Sequence, residues 1–167
     1  MGTHLPPAAL SRRSLVRGLF DAGLVAVLFA LFVRAFLIEV VSIPSDSMSP
    51  TLVAGDQVLV DRWIFADPTT WRALPVRPVR SGDIVLFRSP LPPHPLLVKR
   101  CVAAGGEIAA GAPVPAGELF LAGDHRAGSF DSRDFGPVAS SAVRGRVFAI
   151  LWSRAAGDSR RALSAVR

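Results

Sequence analysis

The 167-residue chain has one cysteine, one lysine and three histidines. A lone cysteine, Cys101, excludes an intramolecular disulfide framework and any cysteine-based metal site. The histidines, His4, His94 and His125, are too dispersed to suggest metal ligation. The chain also lacks an aromatic-interleaved basic patch and a recognition-helix pattern. The formal net charge of +6 and isoelectric point near 11.3 therefore do not point to nucleic acid. A membrane-proximal domain facing anionic lipid accounts for them more economically.

The scarcity of lysine is itself informative. Of the 19 basic side chains, every one except Lys99 is arginine. Arginine cannot lose its proton in a protein, whereas a desolvated lysine can be pushed toward neutrality and act as a base. Lys99 lies in an apolar run, Pro95-Leu-Leu-Val-Lys-Arg-Cys-Val-Ala103. On a strand, Leu97, Lys99 and Cys101 share one face, and Val98, Arg100 and Val102 the other. Taken alone, Lys99 is most simply a chance lysine at a strand edge. Upstream, however, a serine-rich turn, Ile43-Pro-Ser-Asp-Ser-Met-Ser-Pro-Thr-Leu52, could supply a nucleophile. A serine hydroxyl needs a base, usually histidine. No histidine lies in a pairing context here, and a buried lysine is an accepted substitute. Spacing in sequence does not bring Ser47 and Lys99 together.

Charge is absent from residues 22–33, and apolar character resumes through Ala35-Phe-Leu-Ile38 and Val40-Val41. Half of the chain is hydrophobic, and its mean hydropathy of +0.40 is high for a soluble protein. Residues 19–41 are expected to form a transmembrane anchor helix, since a hydrocarbon core needs roughly 20 residues. Asp21, Arg34 and Glu39 fall toward its ends, where charge is less costly. Arg12, Arg13 and Arg17 would also suit a cleavable signal peptide. The apolar run is longer than a typical h-region, and no Ala-x-Ala-like site follows it before the serine turn, which favours an uncleaved anchor. The expected organisation is a cytoplasmic segment (1–18), the anchor (19–41) and an extracytoplasmic β-rich domain (42–167). This is a single-pass topology in the cell (inner or plasma) membrane, with room for one domain and little more.

Beyond Ser42, short β-branched and apolar runs alternate with Pro/Gly punctuation, and no internal repeat stands out. Strands are expected at Gln57–Val60, Asp83–Phe87, Leu96–Ala103, Glu118–Leu121 and Val147–Trp152. Gly55-Asp56 and Ser81-Gly82-Asp83 read as turns, residues 66–80 as an irregular surface excursion and residues 104–117 as a loop. The fold class is mainly β: an antiparallel β-sheet domain preceded by one N-terminal helix.

Four segments, in order, carry a resemblance. Ile43 to Leu52 is similar to the nucleophile box of bacterial type I signal peptidases. Ser81-Gly-Asp-Ile-Val-Leu-Phe87 resembles their next strand, and Val98-Lys-Arg-Cys-Val102 their lysine box. Gly123-Asp-His-Arg-Ala-Gly-Ser-Phe-Asp-Ser-Arg-Asp-Phe-Gly136 matches their final box. There are two departures. The lysine box continues as Ala103-Ala-Gly-Gly-Glu107 where the family has Gly-x-Pro-Gly-Asp, and His125 stands where the family has asparagine. The short interval between Cys101 and Asp124 leaves no room for the inserted subdomain of some members.

The resemblance implies Ser47 as nucleophile and Lys99 as general base. It implies that Ser45 donates to the oxyanion beside the Ser47 amide, and that Ser129 orients the lysine amine. Asp131 and Arg133 would form a supporting ion pair, and Met48 and Pro50 would shape the turn. Val41, Ile43, Val85, Leu86, Leu97 and Val98 are candidates to line shallow pockets for small side chains, as in Ala-x-Ala. No metal or organic cofactor is implied. The implied partners are preprotein signal peptides and membrane lipid, not nucleic acid, and the protein is expected to act as a monomer. The expected activity is that of a membrane-anchored serine endopeptidase cleaving signal peptides. One alternative is a peptidase dedicated to a single substrate, such as a conjugative pilin. Another is a catalytically silent, membrane-tethered β-domain that binds peptides. The apolar run, and the want of a DNA-binding domain, argue against a cytosolic self-cleaving repressor.

Overall fold

A computed structural model describes residues 12–65, 76–153 and 164–166. His4, the first eleven residues of the expected cytoplasmic segment, and residues 66–75 of the expected excursion lie outside the described residues. The chain divides into two compact units, Met1–Phe36 and Leu37–Arg167.

In the first unit, helix α1 runs over Arg12–Phe36. It is rich in leucine and alanine and contains no proline, which favours helix. Its large apolar side chains from Val16 to Phe32 are exposed all round the helix: Leu19 at 75%, Leu24 at 49% and Phe29 at 67%. The helix stops at Phe36, short of the expected boundary at Val41. Residues 38–41 belong instead to strand β1 (Ile38–Ser42). The correction has a physical reason. Ile38, Val40 and Val41 are β-branched and suit a pleated surface, and β1 finds an antiparallel partner in β2 (Gln57–Asp61), with Val41 opposite Val58. Among the described residues no helix is long and apolar enough to cross a membrane.

The second unit is an antiparallel sheet. Its further strands are β3 (Ile84–Arg88), β4 (Leu96–Ala104), β7 (Glu118–Ala122), β8 (Val138–Ala139), β9 (Val143–Trp152) and β10 (Ser164–Ala165). They run in the order β1-β2-β9-β3-β4-β7-β8, with β10 against β9. A separate small hairpin, β5 (Ile108–Ala109) with β6 (Ala112–Pro113), occupies the span expected to be loop. Gly111, at φ +82°, sits in its turn, where a side chain would be strained.

Two core clusters form on the two faces of β3. Ile84 and Leu86 join Ile43, Met48, Leu52, Val58 and Val60. Val85 and Phe87 join Val79, Cys101, Leu119 and Leu121. A strand covered on both faces reads as a continuous apolar run, and Ile84-Val-Leu-Phe87 is one.

Candidate active site

The serine turn is pinned from beneath. Ile43, Met48 and Leu52 are buried in the first cluster, and backbone bonds from Ile43 N to Asp56 O (2.8 Å) and from Gly55 N to Ile43 O (2.8 Å) close its base. Asp56, itself fully buried, accepts from Val53 N and from the Ser153 hydroxyl. The Asp46 carboxylate accepts from Ala54 N at 2.9 Å. With these apolar residues facing inward, Ser45 is exposed and Ser47 is half-buried at the surface of a 3-10 turn, Asp46–Met48. The two hydroxyls lie 3.3 Å apart.

Lys99, on β4, is only 3% exposed, and its Nζ donates to Ser47 Oγ at 2.7 Å. Burial pushes its pKa below the ordinary lysine value, because a charged amine is costly away from water. The Asp131 carboxylate works against that shift, and the Arg133 guanidinium adds to it. Asp131 does not pair with the lysine. It is fully buried and bound by Arg133, through Nε to Oδ1 at 2.8 Å and Nη2 to Oδ2 at 2.5 Å. It also accepts from Gly123 N at 2.8 Å and caps helix α2 (Ser132–Phe135) in a capping box with Asp134. Burial alone would raise its pKa. The hydrogen bonds from Arg133, Gly123 and Ser129 outweigh burial and hold the carboxyl well below the usual carboxylate range.

Ser129 differs from expectation. Its hydroxyl donates to Asp131 Oδ2 at 2.6 Å, and no hydrogen bond joins it to Lys99. The buried carboxylate is the stronger acceptor for a hydroxyl two residues away. Ser129 nevertheless lies close to Ser47. A Cβ on Gly123 would collide with both the Ser129 side chain and the Ser47 carbonyl. That carbonyl also accepts from His125 N at 3.1 Å, so the final box grips the serine turn through backbone. His125 thus takes part through its main chain.

A cleft of about 570 Å³ opens beside Ser47 and Lys99. Of the expected pocket residues, Val41, Ile43, Leu86, Leu97 and Val98 line it. Val85 does not. It is fully buried in the second cluster, because alternation along β3 sends it to the face opposite Leu86. The sequence reading missed the Leu91-to-Leu96 loop wall and Phe130, which is 59% exposed and packs edge-on against Phe135. It also missed a clamp made by Arg100. Arg100 Nε donates to Asp124 Oδ1 at 2.8 Å and Nη2 to Oδ2 at 2.8 Å, while Thr51 Oγ1 donates to Oδ2 at 2.5 Å. One ion pair thus ties β4, the serine turn and the final box together. The signal was available: an arginine opposite Lys99 on an apolar strand needs a carboxylate.

A half-buried serine hydroxyl against a buried amine, at the wall of an apolar cleft, suits the hydrolysis of an extended peptide. The comparisons with known proteins give that class a family. The model described as signal peptidase, peptidase S26, matches residues 16–110 and 107–152. Subunit 2 of the mouse (Mus musculus) mitochondrial inner membrane protease is 32% identical over 84% of this chain and 79% of its own length. Subunit 1 from Schizosaccharomyces pombe is 31% identical over 81% of this chain and 88% of its own. Signal peptidase I of Pseudomonas aeruginosa is 36% identical over 48% of this chain and 30% of its own length. The chain belongs to the type I signal peptidase family, peptidase S26.

Proposed function

We propose that this chain is a membrane-anchored endopeptidase that removes N-terminal signal peptides from exported preproteins, with Ser47 as nucleophile and Lys99 as general base. The observation that carries this reading is the 2.7 Å contact between Lys99 Nζ and Ser47 Oγ, made by an amine that is 3% exposed. Burial favours the neutral amine, which can accept the Ser47 proton. As it does so, Oγ adds to the scissile carbonyl carbon and the carbonyl oxygen becomes an oxyanion. The Ser45 hydroxyl and the Ser47 amide would donate to that oxygen, a kind of preorganised contact worth about 3 kcal/mol. Collapse expels the amine of the mature protein, which takes the proton back from Lys99. Water, losing a proton to the same amine, then cleaves the acyl-serine ester and frees the signal peptide carboxylate, while Lys99 returns that proton to the departing Ser47 Oγ. Asp131, bonded by Arg133, Ser129 and Gly123 N, fixes the shape of the final-box loop, which meets the serine turn through His125 N to Ser47 O and Thr51 Oγ1 to Asp124. Val41, Ile43, Leu86, Leu97 and Val98 offer shallow apolar walls, which suit small side chains on the substrate.

The anchoring rests on α1. A helix that is apolar on every side belongs in a protein core or a membrane. Its apolar side chains from Val16 to Phe32 are exposed in this chain, and residues 22–33 carry no charge. The arginines before the run favour a cytoplasmic N-terminus and an exported domain after Ser42.

The test is incubation of the purified protein with an exported preprotein, followed by N-terminal sequencing of the product. Cleavage after a small residue, lost in Ser47→Ala, is the expected result. Cleavage of one dedicated substrate alone would make it a specialised peptidase. Binding without cleavage would make it a peptide-binding module.

A further inference from the structure

The cleft beside Ser47 and Lys99 is walled from both core clusters. Val41, Ile43, Met48, Leu86 and Val98 line it and belong to, or pack on, the first cluster. Phe130 also lines it but belongs to the other side. Its ring meets Phe135 edge-on at 5.5 Å, and Phe135 packs on the second cluster. Phe130 is the only exposed phenylalanine among the described residues of the second unit, at 59%. A single exposed apolar side chain needs no explanation by itself. This one is held in place at the wall of a peptide-sized cleft. On one side of it Ser129 donates to Asp131 Oδ2 at 2.6 Å, and on the other Asp131 is fully buried and bound by Arg133 and Gly123 N. An aromatic ring carried on an ordered loop makes contact at low entropic cost.

The chemistry of the dyad decides which part of a peptide passes the ring. Lys99 Nζ, 2.7 Å from Ser47 Oγ, takes the serine proton and must deliver it to the nitrogen of the departing chain. That nitrogen therefore lies on the lysine's side of Ser47 Oγ. The final-box loop borders this side. The Ser129 side chain and the Ser47 carbonyl flank the same space at Gly123, and Asp131 and Arg133 are the charged groups that act on Lys99. The residues before the cut lie the other way, along the wall built from the first cluster.

We propose that Phe130 is a specificity-determining residue for the departing chain, its exposed ring receiving a large apolar or aromatic side chain at one of the first two residues after the cut. In an extended peptide those two side chains point to opposite faces, so only one of them meets the ring. This preference rests on the peptidase reading, and the shallow walls before the cut do not supply it. One aromatic contact changes affinity about fivefold. The contact is made equally in the bound substrate and the transition state, so it acts on KM rather than kcat.

The test compares wild type, Phe130→Ala and Phe130→Trp, at full length, on peptides that share Ala-x-Ala before the cut. The peptides carry Phe or Gly at the first or the second position after it. Wild type should favour Phe at one of these positions by about fivefold in kcat/KM, through KM. Phe130→Ala should erase that ratio, and Phe130→Trp should keep it. Replacing Ala by Val before the cut should change all three proteins by the same factor. No wild-type preference at either position, or a preference that survives in Phe130→Ala, would overturn the proposal. A Phe130→Ala effect confined to residues before the cut would overturn it too. Binding of the same peptides to Ser47→Ala, followed by calorimetry, separates this proposal from the peptidase reading. Tighter binding of the Phe peptide, with no cleavage by wild type, would end the peptidase reading and leave Phe130 as a recognition residue. Cleavage without any Phe preference would end this proposal alone, and neither cleavage nor preferential binding would end both.

Discussion

At the scale of single residues, the site sets stability against reactivity. Lys99 is buried, and burial lowers its pKa, so the protonated amine costs folding free energy at neutral pH. The unfolded chain binds more protons in the window between the lowered folded pKa and the ordinary value near 10.4, and stability contributed by this group rises with pH there. Lys99→Met should therefore stabilise the fold by about 1 kcal/mol while abolishing cleavage, a gain typical of relieving a costly functional group. Thermal unfolding and peptide hydrolysis on the same sample check both halves. Activity should rise with pH through an ionisation below the ordinary lysine value, and Lys99→Arg should be as inactive as Lys99→Ala. A pH-independent rate, or an active Lys99→Arg protein, would remove the general-base role. Asp131 has the opposite sign. Its folded pKa is depressed, so its stabilisation is present above about pH 4 and is lost as pH falls further. Asp131→Asn should cost about 2 kcal/mol or more and flatten the acid limb of a stability profile.

At the scale of elements, the serine turn, β4 and the final-box loop act as one unit, held by the Arg100–Asp124–Thr51 clamp and the His125 N to Ser47 O bond. Gly123 ends the path from β7 into that loop, in a space with no room for a methyl group. Gly123→Ala should push the loop away from Ser47. A displacement of that kind costs on the order of 100-fold in rate. The expected outcome is a large fall in kcat with the secondary structure retained, measured on a soluble peptide beside circular dichroism. By contrast, Ser49→Ala should keep activity while Ser47→Ala loses it, since only Ser47 meets Lys99.

At the scale of the whole molecule, an apolar helix precedes a β domain, and the two units have different solvents in the proposed reading. Protease added outside sealed, oriented membranes should digest the domain after Ser42 and spare the N-terminus. Protection of the domain would invert the topology.

Much of this was legible in the sequence because it depends on local pattern. Strands β2, β3, β4, β7 and β9 follow from apolar and β-branched runs between turn residues, and the odd lysine in β4 pointed to the candidate site. The boundary at Phe36 was not legible: Ile38 to Val41 is apolar enough for a helix, and only pairing with β2 makes it a strand. Nor could the sequence send Val85 away from the cleft, turn the Ser129 hydroxyl to Asp131 or join Arg100 to Asp124 and Thr51. Those outcomes depend on which faces are covered and which buried charges meet across 24 to 73 residues of chain. Residue types and their order determined the family and the candidate nucleophile and base. Only the folded sheet decided that Lys99 Nζ sits 2.7 Å from Ser47 Oγ, because desolvation and contact are properties of packing.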